Sequence, residues 1–421
     1  MKQNQLPFQK RIEPKQQKSF FQILNSVATS ALNTLSSAIV PHYTYEGNPY
    51  IYNAVCDCLN KLDYSGLQYQ CSNGIPHELR VYIWYALLLR PKDPWEIKNL
   101  YSETKAKEYD NLWATVTLIV DEIQNKRMQQ REAQLTNLNN LNTNLNNNVN
   151  TNNINNINNV TNINNNQTNN TNNNDNNINQ LDEKTVRVID CDVVRTFPEG
   201  GEYIFKNQPQ IIDMLKRILL IYSYVYNNRG YFQGLNDICA IFIALFMERY
   251  LHDGEFTLPN ENELKKIEVS VYYMLEAMMK KIYPGNETQF HVDTLWTDFI
   301  DLIEHQFGNY SFNSTYIINF DIIRQQTYRW FVCLFCREFN YQLTFAIWDN
   351  FFLKMDMKSF ILRFAFSILV KVTNSYSVNS FEDFNASSIL FFNGMKTEKL
   401  NALITMARSY TFDTQGIFSS Y

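Results

Sequence analysis

Ten consecutive apolar residues, ICAIFIALFM at 238–247, constrain this chain more than any other feature. A helix needs ~20 such residues to cross a bilayer, and this run has about half of them. It reads instead as a helix buried on all sides, which requires other elements packed around it. The composition can supply them: 45% of the 421 residues are hydrophobic and 14% aromatic, with 29 Phe and 26 Tyr. That is ample for a large core. Ile211, Leu215, Ile218, Leu219, Tyr222 and Tyr226 form one face of a helix entered just after Pro209. It is expected to stop at NNRG, 227–230, where Asn and Gly adopt left-handed conformations. Further helical runs are expected at 263–282, 292–307, 324–339 and 359–372. No strand-and-turn pattern repeats, so the expected class is all-α.

Two stretches stand apart. From 135 to 180 the chain is mostly asparagine, punctuated by Leu, Ile, Val and Thr. Such a composition buries too little apolar surface to offset chain entropy, so the tract reads as a disordered insertion. Loop-closure entropy rises slowly with length, which makes a long surface insertion tolerable. The first 19 residues are polar and basic and also read as disordered. Between 20 and 40, from Phe20 to Val40, apolar residues recur at spacings of three and four, with no charge in the stretch. A helix of this kind can lie in a loosely packed membrane surface, or dock on the protein's own core or on a partner. A mitochondrial presequence is a weaker third reading, because Glu13 precedes a late apolar helix.

The net charge of −5 argues against a nucleic-acid partner, which calls for a basic bias. Seven cysteines, an odd number, and the lack of a signal peptide fit a reducing cytosol. Cys333 and Cys336 are spaced CxxC inside WFVCLFCREF, read as an apolar helical run without the turn a zinc knuckle needs. They are expected to be buried thiols, and no metal site is expected. The five histidines form no ligand spacing. No Gly-rich phosphate loop, H-E-x-x-H or G-x-S-x-G nucleophile motif is present.

Three short motifs remain, in order. GIPHELRVYIWYALL holds Gly74, Pro76, Arg80 and Trp84; VIDCDVVRTFP holds Ile189, Asp192 and Arg195; GYFQGLND holds Gly230, Tyr231, Gln233, Gly234 and Asn236. Each alone is a weak signal. An Asp three residues before an Arg is an ordinary helix-face pair, and a Gln between glycines is an ordinary turn.

Together the three resemble the TBC domain of Rab GTPase-activating proteins, whose signatures are G-[IV]-P-x-x-[LV]-R, I-x-x-D-x-x-R and Y-x-Q. RWFVCLFCREF and IWDNFF resemble the family's C-terminal half, so the likeness runs from Gly74 to Ser409. It is greatest to the branch holding a yeast Golgi Rab GAP and animal TBC domain family member twenty-two, which Asn236 and Asp237 suit. The asparagine tract and SVNSFEDFNASSILFFNGM depart from the family pattern. The resemblance implies two helical subdomains. These are expected at 44–258, carrying the motifs and the 135–180 insertion, and at 259–421, with the boundary near the polar break at 254–262; 1–43 lies outside both.

The resemblance also implies a chemistry. A small GTPase hydrolyses GTP slowly because the charge developing on the phosphoryl group is poorly met and the attacking water poorly held. Arginine stays ionised and offers a planar fork of donors, and a glutamine amide donates and accepts without titrating. Arg195 is implied as an arginine finger supplied in trans, and Gln233 as the replacement for the GTPase's own water-orienting glutamine. Ile189, Asp192, Gly230, Tyr231, Gly234 and Asn236 would support these loops or touch the Rab; Gly74, Pro76, Arg80 and Trp84 would be scaffold. Arg80 and Arg229 are rival arginines to which no catalysis is assigned. No cofactor of its own is implied, since GTP and Mg²⁺ belong to a GTP-bound Rab partner. A cytoplasmic protein, peripheral on Golgi or other endomembranes, is expected. The alternative is a non-catalytic Rab-binding or membrane-tethering scaffold.

Overall fold

The computed structural model describes residues 49–72, 74–148, 181–226, 230–283, 292–309, 320–353, 356–375 and 381–409. In chain order these hold α1 (Pro49–Lys61), α2 (Tyr64–Gln70), α3 (Arg80–Leu89), α4 (Pro94–Asn99), α5 (Glu103–Asn148), α6 (Glu183–Val193), α7 (Glu202–Phe205), α8 (Pro209–Val225) and α9 (Leu235–Met247). A two-stranded antiparallel hairpin follows, β1 (Leu251–His252) and β2 (Glu255–Phe256). Then come α10 (Glu261–Ile282), α11 (Val292–Asn309), α12 (Phe320–Val332), α13 (Tyr341–Leu353), α14 (Met357–Ser375), α15 (Phe381–Asn393) and α16 (Thr397–Ser409). Apart from the hairpin, the described residues form the all-α fold that the periodicities predict. The stretch 20–40, the basic segment before it and the asparagine tract beyond 148 lie outside the described residues.

Helix starts follow local chemistry. Asp63, Asp93, Asp182 and Asn260 each accept a backbone N–H from the first turn of the helix they precede. Each bond satisfies a donor that the helix itself leaves unpaired. Pro94 and Pro209 stand in first turns, where their missing N–H costs nothing.

The apolar run becomes α9, and every residue of that helix except Asp237 is buried. It packs against α8, α10 and α13, with α6 also in contact. Segments far apart in the sequence meet around Trp84 of α3. Its ring lies 6.1 Å from Phe242 of α9, and 5.6, 6.0 and 4.7 Å from Phe345, Trp348 and Phe352 of α13. The indole Nε1 donates to Asp349 Oδ1 at 2.7 Å, and Arg80 Nε and Nη2 reach the same carboxylate at 3.1–3.2 Å. Burial pushes the Asp349 carboxyl up, and Arg80 and Trp84 pull it back. Arg80 and Trp84 of the first motif thus tie α3 to α13 through one buried carboxylate.

Removing one partner of such a buried pair strands the other charge, at a cost of about 3–5 kcal/mol. Arg80→Ala is accordingly expected to lower the urea midpoint by that much stability. A shift below about 1 kcal/mol would show that the junction is not held this way.

Two expectations are corrected. The helix expected at 324–339 ends at Val332. Leu334 and Phe335 have positive φ, the Phe335 N–H bonds to Trp330 O at 2.9 Å, and the Leu334 N–H to Phe331 O at 3.3 Å. That pair of bonds closes a helix end of the Schellman type without a glycine. Trp348 Nε1 holds Leu334 O at 3.0 Å, and both strained side chains are buried, which offsets the left-handed backbone. Cys333 and Cys336 thus sit on a turn, where burial pushes the Cys333 thiol up to about 12.

Second, the disordered stretch expected from 135 is helical at its start, because α5 continues to Asn148. Leu135 and Leu138 are exposed there. A helix already nucleated adds residues at little cost. Past the polar break at 254–262, α10 packs on α3, α8 and α9 and buries Val271, Met274, Leu275 and Met278.

Candidate functional site

Helix α6 carries the second motif. Val186, Ile189, Asp192 and Val193 are its buried residues. Ile189 is fully buried, so it anchors the helix and does not face a partner. The chain then turns, with the Arg195 N–H on Asp192 O at 3.1 Å and the Thr196 N–H on Val193 O at 3.3 Å. This turn throws the Arg195 side chain outward, to 60% exposure, while Asp192 stays 2% exposed beneath it. Arg195 Nη2 donates to Asp192 Oδ1.

The third motif forms a short loop into α9. Gly230 and Gly234 have φ of +64° and +119°, in the left-handed region. At Gly234 a Cβ would come within 2.8 Å of Val332 Cγ1 and 3.0 Å of Val332 O, so only glycine fits. Phe232 packs on Val332 and Cys333, while Gln233, next to it, is exposed.

One hydrogen-bonded network joins the two loops. The Tyr231 hydroxyl donates to Asp192 Oδ2 at 2.7 Å and lies 3.0 Å from Asn236 Oδ1. Asn236 Oδ1 also accepts the Gly234 N–H at 3.0 Å, and its Nδ2 donates to Thr196 Oγ1 at 2.8 Å. Thr196 Oγ1 in turn donates to Asp192 O at 2.6 Å. Burial, reinforced by the bond to Asp192, pushes the Tyr231 hydroxyl far above its ordinary range. It therefore stays a donor at physiological pH.

The structure thus brings together Asp192, Arg195, Gly230, Tyr231, Gln233, Gly234 and Asn236. It places Arg80 and Trp84 elsewhere, at the junction of α3 and α13. Pro76 is buried at the start of the short turn before α3, and Gly74 lies just ahead of it. Arg229 lies outside the described residues. Thr196 is a hub that the motif reading left without a role. Asp349, the Arg80 partner, was partly legible as the one acid in IWDNFF. Arg337, whose Nε and Nη2 both reach Asp237 Oδ2 at 2.8 Å, had no signal, because the two stand 100 residues apart.

The two exposed polar side chains, Arg195 and Gln233, therefore stand on loops fixed to each other by buried bonds. Such an arrangement can present a cation and a neutral amide to one external target with little reorganisation.

The chain is 26% identical over 220 residues to the GTPase-activating protein gyp1 of Schizosaccharomyces pombe, covering 48% of this chain and 40% of that protein. It is 26% identical over 215 residues to GYP1 of Saccharomyces cerevisiae (47% of this chain, 30% of that protein), and 24% identical over 182 residues to human TBC1 domain family member 22B (40% and 34%). The chain thus spans well under half the length of these relatives. Its fold resembles the crystal structure of the Ypt/Rab-GAP domain of Gyp1p, with a TM-score of 0.56 at 16% identity over 85% of this chain and 97% of that one. The Rab-GTPase-TBC domain profile matches residues 77–375, well over half of the sequence, and the chain belongs to that family.

Proposed function

We propose that this chain is a GTPase-activating protein for a GTP-bound Rab-family GTPase, with Arg195 and Gln233 as its two catalytic side chains. The observation that carries the reading is the network Asp192–Tyr231–Asn236–Thr196, which holds an exposed arginine and an exposed glutamine on coupled loops. The relatives named as GTPase-activating proteins support it. In this mechanism GTP and Mg²⁺ are held by the partner. Arg195 leaves Asp192 to meet the charge that grows on the transferring phosphoryl group and the leaving oxygen. Asp192 keeps its bond to Tyr231, so the loop stays in place when the arginine swings out. Gln233 accepts from the attacking water and donates toward the phosphoryl oxygens, fixing the line of attack.

We place the protein in the cytoplasm and on the surface of Golgi or other endomembranes, acting in vesicle traffic. No helix among the described residues is long and apolar enough to cross a membrane. The test is phosphate release from a panel of GTP-loaded Rabs with the purified chain. Acceleration of at least one Rab is expected. Binding of GTP-loaded Rabs with no acceleration of any would favour the scaffold reading.

A further inference from the structure

The glutamine loop is tied on one side to the arginine loop. Its other side rests on the turn at 332–339. Gly234 lies against Val332 and Cys333, and Phe232 covers the same two residues. Just beyond Gly234, Asp237 is the only residue of α9 that is not buried. Arg337, on the turn, donates Nε–H to Asp237 Oδ2 at 2.8 Å, and its Nη2 lies 2.8 Å from the same oxygen.

The turn itself is stiff. Trp348 pins Leu334 O at 3.0 Å. Glu338, 3% exposed, takes Arg329 in a two-pronged bond at 2.7 and 2.9 Å, closing the turn across its base. Cys336 N–H and Glu338 N–H bond back to Cys333 O and Phe335 O at 2.9 and 3.0 Å. The loop that carries Gln233 is bounded by Gly230 and Gly234, both with positive φ, and the ion pair on Asp237 lies three residues past the second of them.

We propose that Arg337 is a positioning residue for Gln233: by holding Asp237 on the turn at 332–339 it fixes the loop that carries the glutamine, without touching the reacting atoms. This rests on the reading of Gln233 as the water-orienting group. Burial pushes the Asp237 carboxyl up and Arg337 draws it down. Arg195 and Asp192 are the other charged groups that act on Asp237. Arg337 therefore also keeps that carboxylate engaged away from Arg195.

The experiment is a double-mutant cycle on a Rab that responds to the unmodified protein, read as single-turnover phosphate release. Displacing a catalytic group by about 1 Å costs up to ~10²-fold, and a loosened loop less, so Arg337→Ala alone should slow stimulated hydrolysis by about tenfold. In a Gln233→Ala background the same change should cost less than about twofold, because the group it positions is gone. Arg337→Lys, which can still donate to Asp237 Oδ2, should keep most of the rate. Arg337→Ala takes the cation from a carboxylate that is 14% exposed, so all rates are read well below the melting temperature of the least stable variant.

A full, multiplicative loss in the Gln233→Ala background would overturn the proposal, as would an unchanged rate for Arg337→Ala. An Arg337→Lys variant as slow as Arg337→Ala would remove the ion pair as the cause. If the unmodified protein accelerates no Rab, the catalytic reading fails first, and that arm of the experiment shows it separately.

Discussion

Arg195→Ala lowers the stimulated rate of GTP hydrolysis by roughly 10³-fold or more, because arginine fingers contribute about 10³–10⁵ to the rate. The side chain is 60% exposed and its bond is to a carboxylate that keeps a second partner in Tyr231. Truncating it takes the cation from Asp192, which is 2% exposed, and leaves that carboxylate the Tyr231 hydroxyl, so some stability is lost along with the rate. Arg195→Lys separates the two effects: it keeps a charge for Asp192 but loses the planar fork, and should stay slow while melting close to the unmodified protein. Arg80→Ala also strips the cation from a buried carboxylate, Asp349, which keeps only the Trp84 indole, and there any loss of rate follows the loss of stability. The measurement is the pair of rates beside the pair of melting curves. A purified Arg195→Ala variant that kept its rate, while a folded Arg80→Ala or Arg229→Ala variant lost it, would move the finger elsewhere.

The sequence carried the helices because their signals are local. Pro209 and the face Ile211–Leu215–Ile218–Leu219–Tyr222 specify α8, and the observed end at Val225 sits just before NNRG. The apolar run specified α9 because no surface tolerates it. What failed was non-local. WFVCLFCREF has helical composition, yet the chain turns at Leu334 because Trp348, fourteen residues on, takes its carbonyl. No residue in that stretch is a glycine or a proline to announce it. The start of the asparagine tract failed for another reason: α5 runs on past 135, where Leu135 and Leu138 are exposed and no buried face marks the helix.

The site divides along the same line. Its exposed members, Arg195 and Gln233, were legible through motif order and resemblance. Asp192, Tyr231 and Asn236 were legible as neighbours in sequence, and their bonds give each a place. Thr196 was visible but mute, since a threonine after an arginine signals nothing until Asn236 is found beside it. The supports from the second half, Val332 and Arg337, are set by a packing that no short-range pattern encodes.

The central claim is that this chain supplies the glutamine as well as the arginine. If Gln233 takes over the water, the partner's own switch glutamine becomes partly redundant. A Rab carrying leucine in place of that glutamine then hydrolyses GTP slowly alone and still responds to this protein. A protein that supplied only an arginine would fail on such a substrate, because nothing would orient the water. Gln233→Ala is expected to cut stimulation of the normal Rab by about 10²-fold, the cost of one well-placed transition-state hydrogen bond. The direct measurement is single-turnover phosphate release from both Rabs, each with the unmodified protein and with Gln233→Ala. The account predicts that the unmodified protein accelerates both Rabs and that Gln233→Ala accelerates neither well. Full activity of Gln233→Ala on the normal Rab, with no response of the leucine Rab to the unmodified protein, would contradict it and leave Gln233 a turn residue.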